Sequence, residues 1–440
     1  MLTRPSACGL AVVALLAVGA LPAAQRAPQV RWAWVGGVTA RSAVIKARVS
    51  PGSGRVTIAL TAAGRAQASP ERHDGAPDPS GIASFELDSL SPASRYDYRV
   101  EAGGSAAVTG SFRTFGEGPW SFRLAFSACA ETGSASPVFD AIREARPDLF
   151  IHTGDIHYED ITRNEPDRFR AAFDAVMGSP AQSRLYRSVP IAYTWDDHDF
   201  GGNGSDASSA AGPAALAVYR QFVPHYPLER SGSTGISQAF SLGRVRVVMT
   251  DSRSQRGPSR GASQGRTMLG GAQLTWLKDQ LSRAADAPLV IWVNTVPWIA
   301  SPGSGSDNWG SYAREREEIA NHIDALGLTG RLLMLSGDAH MVAIDDGTHS
   351  NYATGTGRGQ RGFVVMHAAP LDRRTSEKGG PYSHGISRER GQFGLVDVTD
   401  DGATLAVALS GRDRSGAEIK GMRLSLTCDG GACDITPSAK

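Results

Sequence analysis

The chain has 440 residues, with 45 Lys and Arg against 44 Asp and Glu and a hydrophobic fraction of 41%. That length accommodates a full-sized catalytic domain and a smaller companion, and a mean hydropathy of −0.22 is ordinary for a globular protein. A net charge of +1 removes any case for nucleic-acid or membrane binding driven by bulk charge.

Residues 1–24 read as a signal peptide: Arg4 is the positive flank, Leu10 to Leu21 the apolar run, and Ala23-Ala24 the small residues for cleavage. The run is too short to span a bilayer, and no spanning segment follows it. A lone arginine fits general export, so the mature protein is expected to be soluble and periplasmic or secreted. Cys428 and Cys433 flank a four-residue DGGA loop that can close as a disulfide in an oxidising compartment. Cys129 is left unpaired, either as a buried core thiol or as a functional one.

From Val30 to Phe115, short β-prone runs such as SAVIKARVS and RVTIALTAA alternate with Gly, Pro, Ser and Asp, with no helical periodicity. This predicts a β-sandwich over residues 30–116. Leu87 to Val100 (LDSLSPASRYDYRV) resembles the fibronectin type III and immunoglobulin-like pattern at the tyrosine corner, with Tyr96 or Tyr98 bonding back to the chain.

After the turn-rich joint Gly116 to Pro119, strands alternate with helices, and residues 120–440 are expected to form an α/β domain. The strands are SFRLAFS, LFIHTGD, VPIAYTW, RVRVVMTD, PLVIWVN and LLMLSGD. The helices are Pro137–Ala145, Pro166–Met177, Pro213–Phe222, Gly271–Ala284 and Tyr312–Leu326. Short β runs return from Phe363 onward, and 201–212 and 351–361 read as loops over a site.

Potential ligands collect where those strands end. The densest stretch is YTWDDHDFGGN at 193–203, where Asp196, Asp197 and Asp199 crowd around His198. Carboxylates so close raise one another's pKa unless a cation neutralises them. Cys129, Asp155, His157, Tyr158, Asn203, Asp251, Arg253, Asp338 and His340 fall at equivalent points, the usual ligand position in open α/β sheets. A single strand-end Asp is ordinarily a cap or turn residue; the recurrence argues for a metal site.

Gly154-Asp155, the pair Asp197-His198 and Gly337-Asp-Ala-His340 resemble the GD, GNH(D/E) and GHxH motifs of the metallophosphoesterase superfamily. The variants SAC (127–129), GDIHY (154–158), WDDHDFGGN (195–203), Asp251-Ser-Arg253, the run Leu269 to Leu277, Asp307-Asn-Trp309 with Tyr312, and SGDAH (336–340) resemble one branch, the PhoD-like alkaline phosphatases and phosphodiesterases. The resemblance covers about residues 30 to 410. It implies a four-layer α/β/β/α catalytic domain and a pair of metals about 3.5 Å apart bridged by Asp155. Cys129 and Tyr158 suit a trivalent iron better than calcium. The implied cofactors are therefore iron (Fe3+), held by Cys129, Asp155, Tyr158 and Asp338 or His340, and calcium, held with Asp196, Asp197 and Asn203. Other divalent metals are compatible. His198 is expected to polarise the attack or protonate the leaving alkoxide, Arg253 to clamp the phosphate, and Trp309, with Trp298 and Tyr312, to wall the pocket.

Two departures stand out. Val293-Asn-Thr-Val-Pro297 lacks the histidine many superfamily members carry there, and Asn203 is followed by GSD. The implied activity is an exported phosphoesterase acting on monoesters, diesters or both. The alternatives are a phospholipase-like or nucleic-acid phosphodiesterase and, from another class, a non-catalytic surface adhesion protein. The expected partners are small phosphate esters or phospholipid- and nucleotide-type diesters, with no stable nucleic-acid partner and a monomeric state.

Overall fold

The Leu149–His152 strand shows how the chain builds its layers. Leu149 and Ile151 enter one core and Phe150 another, because successive strand side chains point to opposite faces. A strand buried on both faces must lie between two layers. The computed structural model describes residues 29–63, 70–103, 106–229, 235–260, 266–303, 305–429, 431 and 433–436. The signal-peptide reading of residues 1–24 therefore lies outside the described residues.

Two large sheets carry the molecule. The ten-stranded sheet runs, edge to edge, Cys433–Thr436, Glu418–Cys428, Leu405–Arg412, Phe393–Asp400, Phe122–Ser127, Leu149–His152, Ile191–Tyr193, Val30–Gly36, Ala43–Val49 and Ile82–Leu87. The seven-stranded sheet runs Gln238–Leu242, Val245–Met249, Val290–Val293, Leu332–Ser336, Val364–Ala368, Val342–Asp345 and Ile386–Ser387. One core joins Leu124, Phe126 and Ile151 of the first sheet to Met249, Ile291 and Leu335 of the second. A second core packs Phe139, Phe173 and Tyr219 from the helices Val138–Glu144, Pro166–Gly178 and Gly212–Phe222 against the first sheet. A third packs Leu277 and Ile319, from Gly270–Arg283 and Ala313–Ala325, against Trp292 and Met334 of the second. The expected helices thus form within a residue or two of their expected bounds; the helix Pro180–Tyr186, too short for a clear period, was not expected.

The N-terminal strand-rich region divides between two sheets. Glu71–Gly75, Val56–Ala62, Arg95–Ala102 and Val108–Arg113 form a separate four-stranded sheet. Val30–Gly36 instead pairs in parallel with Ile191–Tyr193, with Gly36 opposite Ile191, and brings Ala43–Val49 and Ile82–Leu87 with it. A Cβ on Gly36 would lie 2.2 Å from the Pro224 carbonyl oxygen and 2.5 Å from that of Ile191, so this approach needs glycine. Trp34 Nε1 donates to the Phe222 carbonyl at 2.9 Å, and Trp32 Nε1 to Asp174 at 2.8 Å.

The two tyrosines named from sequence divide their work. Tyr96 Oη accepts from the Ser91 amide at 2.8 Å, whereas Tyr98 Oη reaches the Arg187 carbonyl at 2.9 Å and ties the small sheet to the end of Pro180–Tyr186. Tyr98→Phe is expected to cost about 1 kcal/mol, the net worth of one such bond, read as a lower denaturant midpoint. An unchanged midpoint would show that this tie contributes nothing.

Candidate metal centre

Most candidate ligands follow the C-terminal end of a strand. Cys129 follows Phe122–Ser127, Asp155 follows Leu149–His152, and Asp196 and Asp197 follow Ile191–Tyr193; Asp338 and His340 follow Leu332–Ser336 of the facing sheet. Two glycines let these ends converge. A Cβ on Gly154 would sit 2.5 Å from Asp196 Cβ, and one on Gly337 2.6 Å from Ala128 Cβ. Cys129, Asp155, Asp338 and His340 hold left-handed φ values of 64°, 56°, 55° and 48°. Such backbone costs of order 1 kcal/mol or more per non-glycine residue and persists where the surroundings enforce it.

Three overlapping groups result: Cys129, Asp155 and His340; Asp155, Asp197 and His198; and Asp196, Asp197 and Asp338. Within each, one ligand atom per residue lies within 4.8 Å of the others. Asp155 is shared by the first two. Its Oδ2 accepts from Tyr158 Oη at 2.6 Å and lies 3.5 Å from Cys129 Sγ, while its Oδ1 faces the His198 amide at 3.3 Å. Tyr158 Oη is also 3.1 Å from His340 Nε2. His340 Nδ1 donates to the Arg374 carbonyl, which leaves Nε2 as a lone pair facing the cluster. Burial, first of all, lowers the His340 pKa to about 4, so the imidazole is neutral at pH 7.

Electrostatics favour a cation at the cluster. Burial, reinforced by Asp197 and Asp196, pushes the Asp155 carboxyl far up. Burial raises Asp196 despite Arg253, and Asp338 despite Lys378. The Cys129 thiol is raised by burial and by Asp155. Asp196 Oδ2 and Asp338 Oδ2 are buried and have no hydrogen-bond partner. Buried carboxylates with unsatisfied oxygens, beside a thiol and a phenol, are a donor set that fits cations.

His198 packs against Tyr158 at a tilt, ring centroids 4.1 Å apart, and its Nδ1 lies 2.5 Å from Asp160 Oδ1, so Nε2 remains available. Asp196 begins the short helix Asp197–Phe200 as its cap, with Asp199 closing a reciprocal capping box.

Three residues with expected roles sit in surroundings that bear on those roles. Arg253 has no side-chain exposure: Nε donates to Asp196 Oδ1 at 2.6 Å and an Nη to Asp307 Oδ2 at 3.0 Å, so its fork is spent inside the protein. Trp309 is fully buried, with ring centroids 5.3 Å from Trp298 and 6.0 Å from Trp292; it is core, not pocket wall. Asn203 is exposed, and the following Gly204 amide donates to Asp197 Oδ2 at 2.6 Å.

Other residues at the site had no role assigned from sequence. Asp307 joins Arg253 to Arg256, whose Nη lies 2.6 Å from Asp307 Oδ1; burial opposes its ionisation, but the two arginines outweigh it and hold the carboxyl well below the usual range. Thr295 Oγ1 donates to Asp196 Oδ1 at 2.7 Å. Lys378 Nζ lies 2.6 Å from Asp338 Oδ1, and the Arg373 guanidinium sits 3.8 Å above the Tyr158 ring. Asp307 had a signal, since its DNW triplet belongs to a recognisable pattern; Arg373 and Lys378 lie in an irregular stretch with none.

The family model of PhoD-like phosphatases matches residues 124–383, more than half of the chain. A solved structure described as that of PhoD is similar over 96% of this chain and 94% of its own, with 17% identity and a TM-score of 0.73. The purple acid phosphatase PPD1 from yellow lupin (Lupinus luteus) seeds is similar over 94% of this chain and 78% of its own, with 13% identity and a TM-score of 0.62. At these identities the likeness is one of fold. No match is found among curated protein sequences.

Proposed function

The chain belongs to the PhoD-like phosphatase family and is a phosphoesterase; from that premise we propose that it is an exported metallo-hydrolase that cleaves phosphate monoesters, diesters or both on a four-layer α/β/β/α scaffold. The observation that carries this reading is the sharing of Asp155 and Asp197 among three adjoining ligand groups. Cys129, Tyr158, His340 and Asp155 would hold the metal that prefers softer donors, of the iron type. Asp155, Asp196, Asp197 and Asp338 would hold the second, of the calcium type. Metals held there would supply Lewis-acid chemistry, activating water at neutral pH and offsetting charge on phosphoryl oxygens.

The chain's own residues do the rest. His198, steered through Nδ1 by Asp160, presents Nε2 for proton delivery to the leaving alkoxide. Arg253 and Thr295 orient Asp196. The Cys428–Cys433 disulfide supports an oxidising compartment, and no helix among the described residues is long and apolar enough to cross a membrane.

The test is hydrolysis of p-nitrophenyl phosphate and bis-p-nitrophenyl phosphate by purified, metal-loaded protein, with wild type and Cys129→Ala in parallel. Cys129→Ala is expected to lose at least about 100-fold, since even partners of ligands cost 10- to 100-fold. Turnover of neither ester by folded, metal-loaded wild type sinks the proposal. Full activity in Cys129→Ala sinks the assignment of Cys129 as a ligand.

A further inference from the structure

With the Arg253 fork spent on Asp196 and Asp307, a side-chain cation able to reach substrate beside the metals has to come from elsewhere in the site. Among the described residues beside the ligand groups, Arg253 and Arg256 have side-chain exposures of 0% and 4% and are tied to Asp196 and Asp307. Lys378 and Arg373 have exposures of 36% and 30%. Both come from the irregular stretch 371–380, which follows the Val364–Ala368 strand and touches Tyr158, His340 and Asp338 of the cluster.

That stretch is fastened on both sides of Lys378. The Ser376 amide and hydroxyl bond the His340 and Ala339 carbonyls at 3.3 and 3.1 Å, and the Gly380 amide donates to the Ile299 carbonyl at 2.8 Å. The Lys378 carbonyl accepts from Tyr382 Oη at 3.0 Å. Gly379 has φ +73°, and a Cβ there would meet the Ile299 oxygen at 2.4 Å, so the backbone beside Lys378 cannot lift without breaking contacts. Lys378 Nζ spends one donor on Asp338 Oδ1 and has two more. A cation held this firmly at the rim of a metal-ligand group differs from a freely solvated surface lysine.

Resting on the phosphoesterase reading above, we propose that Lys378 binds the unesterified oxygens of the substrate phosphate and makes the site select monoesters over diesters. A monoester presents three unesterified oxygens and a charge near −2 at neutral pH; a diester presents two and a single charge. A point cation beside the metals therefore gains more from the monoester. Arg373, stacked on Tyr158 and paired with Glu131, stands on the same stretch as a second cation for that charge.

The experiment uses the metal-loaded mature protein and the variants Lys378→Met and Lys378→Arg. It measures calorimetric affinity for inorganic phosphate, bound metal, and kcat/KM for p-nitrophenyl phosphate and bis-p-nitrophenyl phosphate. Lys378→Met is expected to weaken phosphate about 10- to 100-fold, the worth of one charge-assisted hydrogen bond. It should lower the monoester-to-diester ratio of kcat/KM about tenfold or more, with bound metal unchanged and Lys378→Arg close to wild type. Unchanged phosphate affinity with altered metal content would overturn the proposal, because Lys378 would then serve only as the counter-charge of Asp338. Equal losses on both esters would overturn the selectivity. Wild type that hydrolyses neither ester would sink the phosphoesterase reading, while phosphate titration would still decide Lys378 by itself.

Discussion

Stripping the metal with a chelator is expected to abolish hydrolysis of both esters and to lower Tm, and the Tm deficit should widen as pH rises from acid to neutral. Asp155, Asp196 and Asp338 are buried, and their folded pKa values stand above the ordinary carboxylate value of about 3.9. Below that unfolded value the groups are protonated in both states and cost the fold nothing. As pH rises through the raised folded values, the unfolded chain has already ionised, whereas the stripped fold must keep its protons or bury bare charge. The stripped protein therefore loses stability across that window. Bound cations reverse the penalty, because they favour the ionised carboxylates and the Cys129 thiolate; an ion at 1,000 times its Kd adds about 4 kcal/mol by mass action alone. Melting curves of loaded and stripped protein at a series of pH values make the comparison. A Tm deficit that stays flat with pH would show that burial at this cluster is offset by something other than metal.

The site was more legible in the sequence than its surroundings were, for a physical reason. LFIHTGD and LLMLSGD are short, wholly apolar runs ended by glycine and an acid, and local sequence alone determines that such a run enters a core and delivers its acid at the exit. Sheet membership is not local. The pairing of Gly36 with Ile191 crosses more than 150 positions, and no turn or period in either strand names its partner. A cue was present nonetheless: VRWAWVG carries apolar side chains on both faces and is buried on both after Arg31, the mark of a strand covered on two sides and not of a sandwich strand with one wet face. The short helix Asp197–Phe200 spans too few residues for a period, and Lys378 sits in a segment whose course is set by tertiary contacts such as those to His340 and Ile299. Residue type misled at Trp309 and Arg253, where an aromatic and a guanidinium suit a ligand pocket as well as a core. Only packing against Trp292 and Trp298, and a pair of facing carboxylates, decides the matter.

Arg253→Ala separates those two roles with a large effect. A phosphate clamp that is lost raises KM and leaves the melting point near wild type. The structure places Arg253 between Asp196 and Asp307 with no solvent exposure, and it also reaches the Ser205 carbonyl at 3.4 Å. Burial disfavours the charged guanidinium, yet Asp196 and Asp307 outweigh that cost and keep it firmly protonated. Removing it leaves the buried Asp196 carboxylate without its cation, and the partly buried Asp307 with Arg256 alone; breaking a buried pair on one side costs about 3–5 kcal/mol. The expected result is a marked fall in unfolding free energy, with kcat falling because Asp196 loses the group that orients it. Pairing the change with Asp307→Asn removes one of the negative charges facing the space Arg253 leaves and should restore part of the stability, so that the two substitutions are not additive. Unchanged stability accompanied by a raised KM would return Arg253 to the substrate. A loss of several kcal/mol, partly rescued by Asp307→Asn, fixes it as the ion pair that holds the carboxylate side of the metal centre in shape.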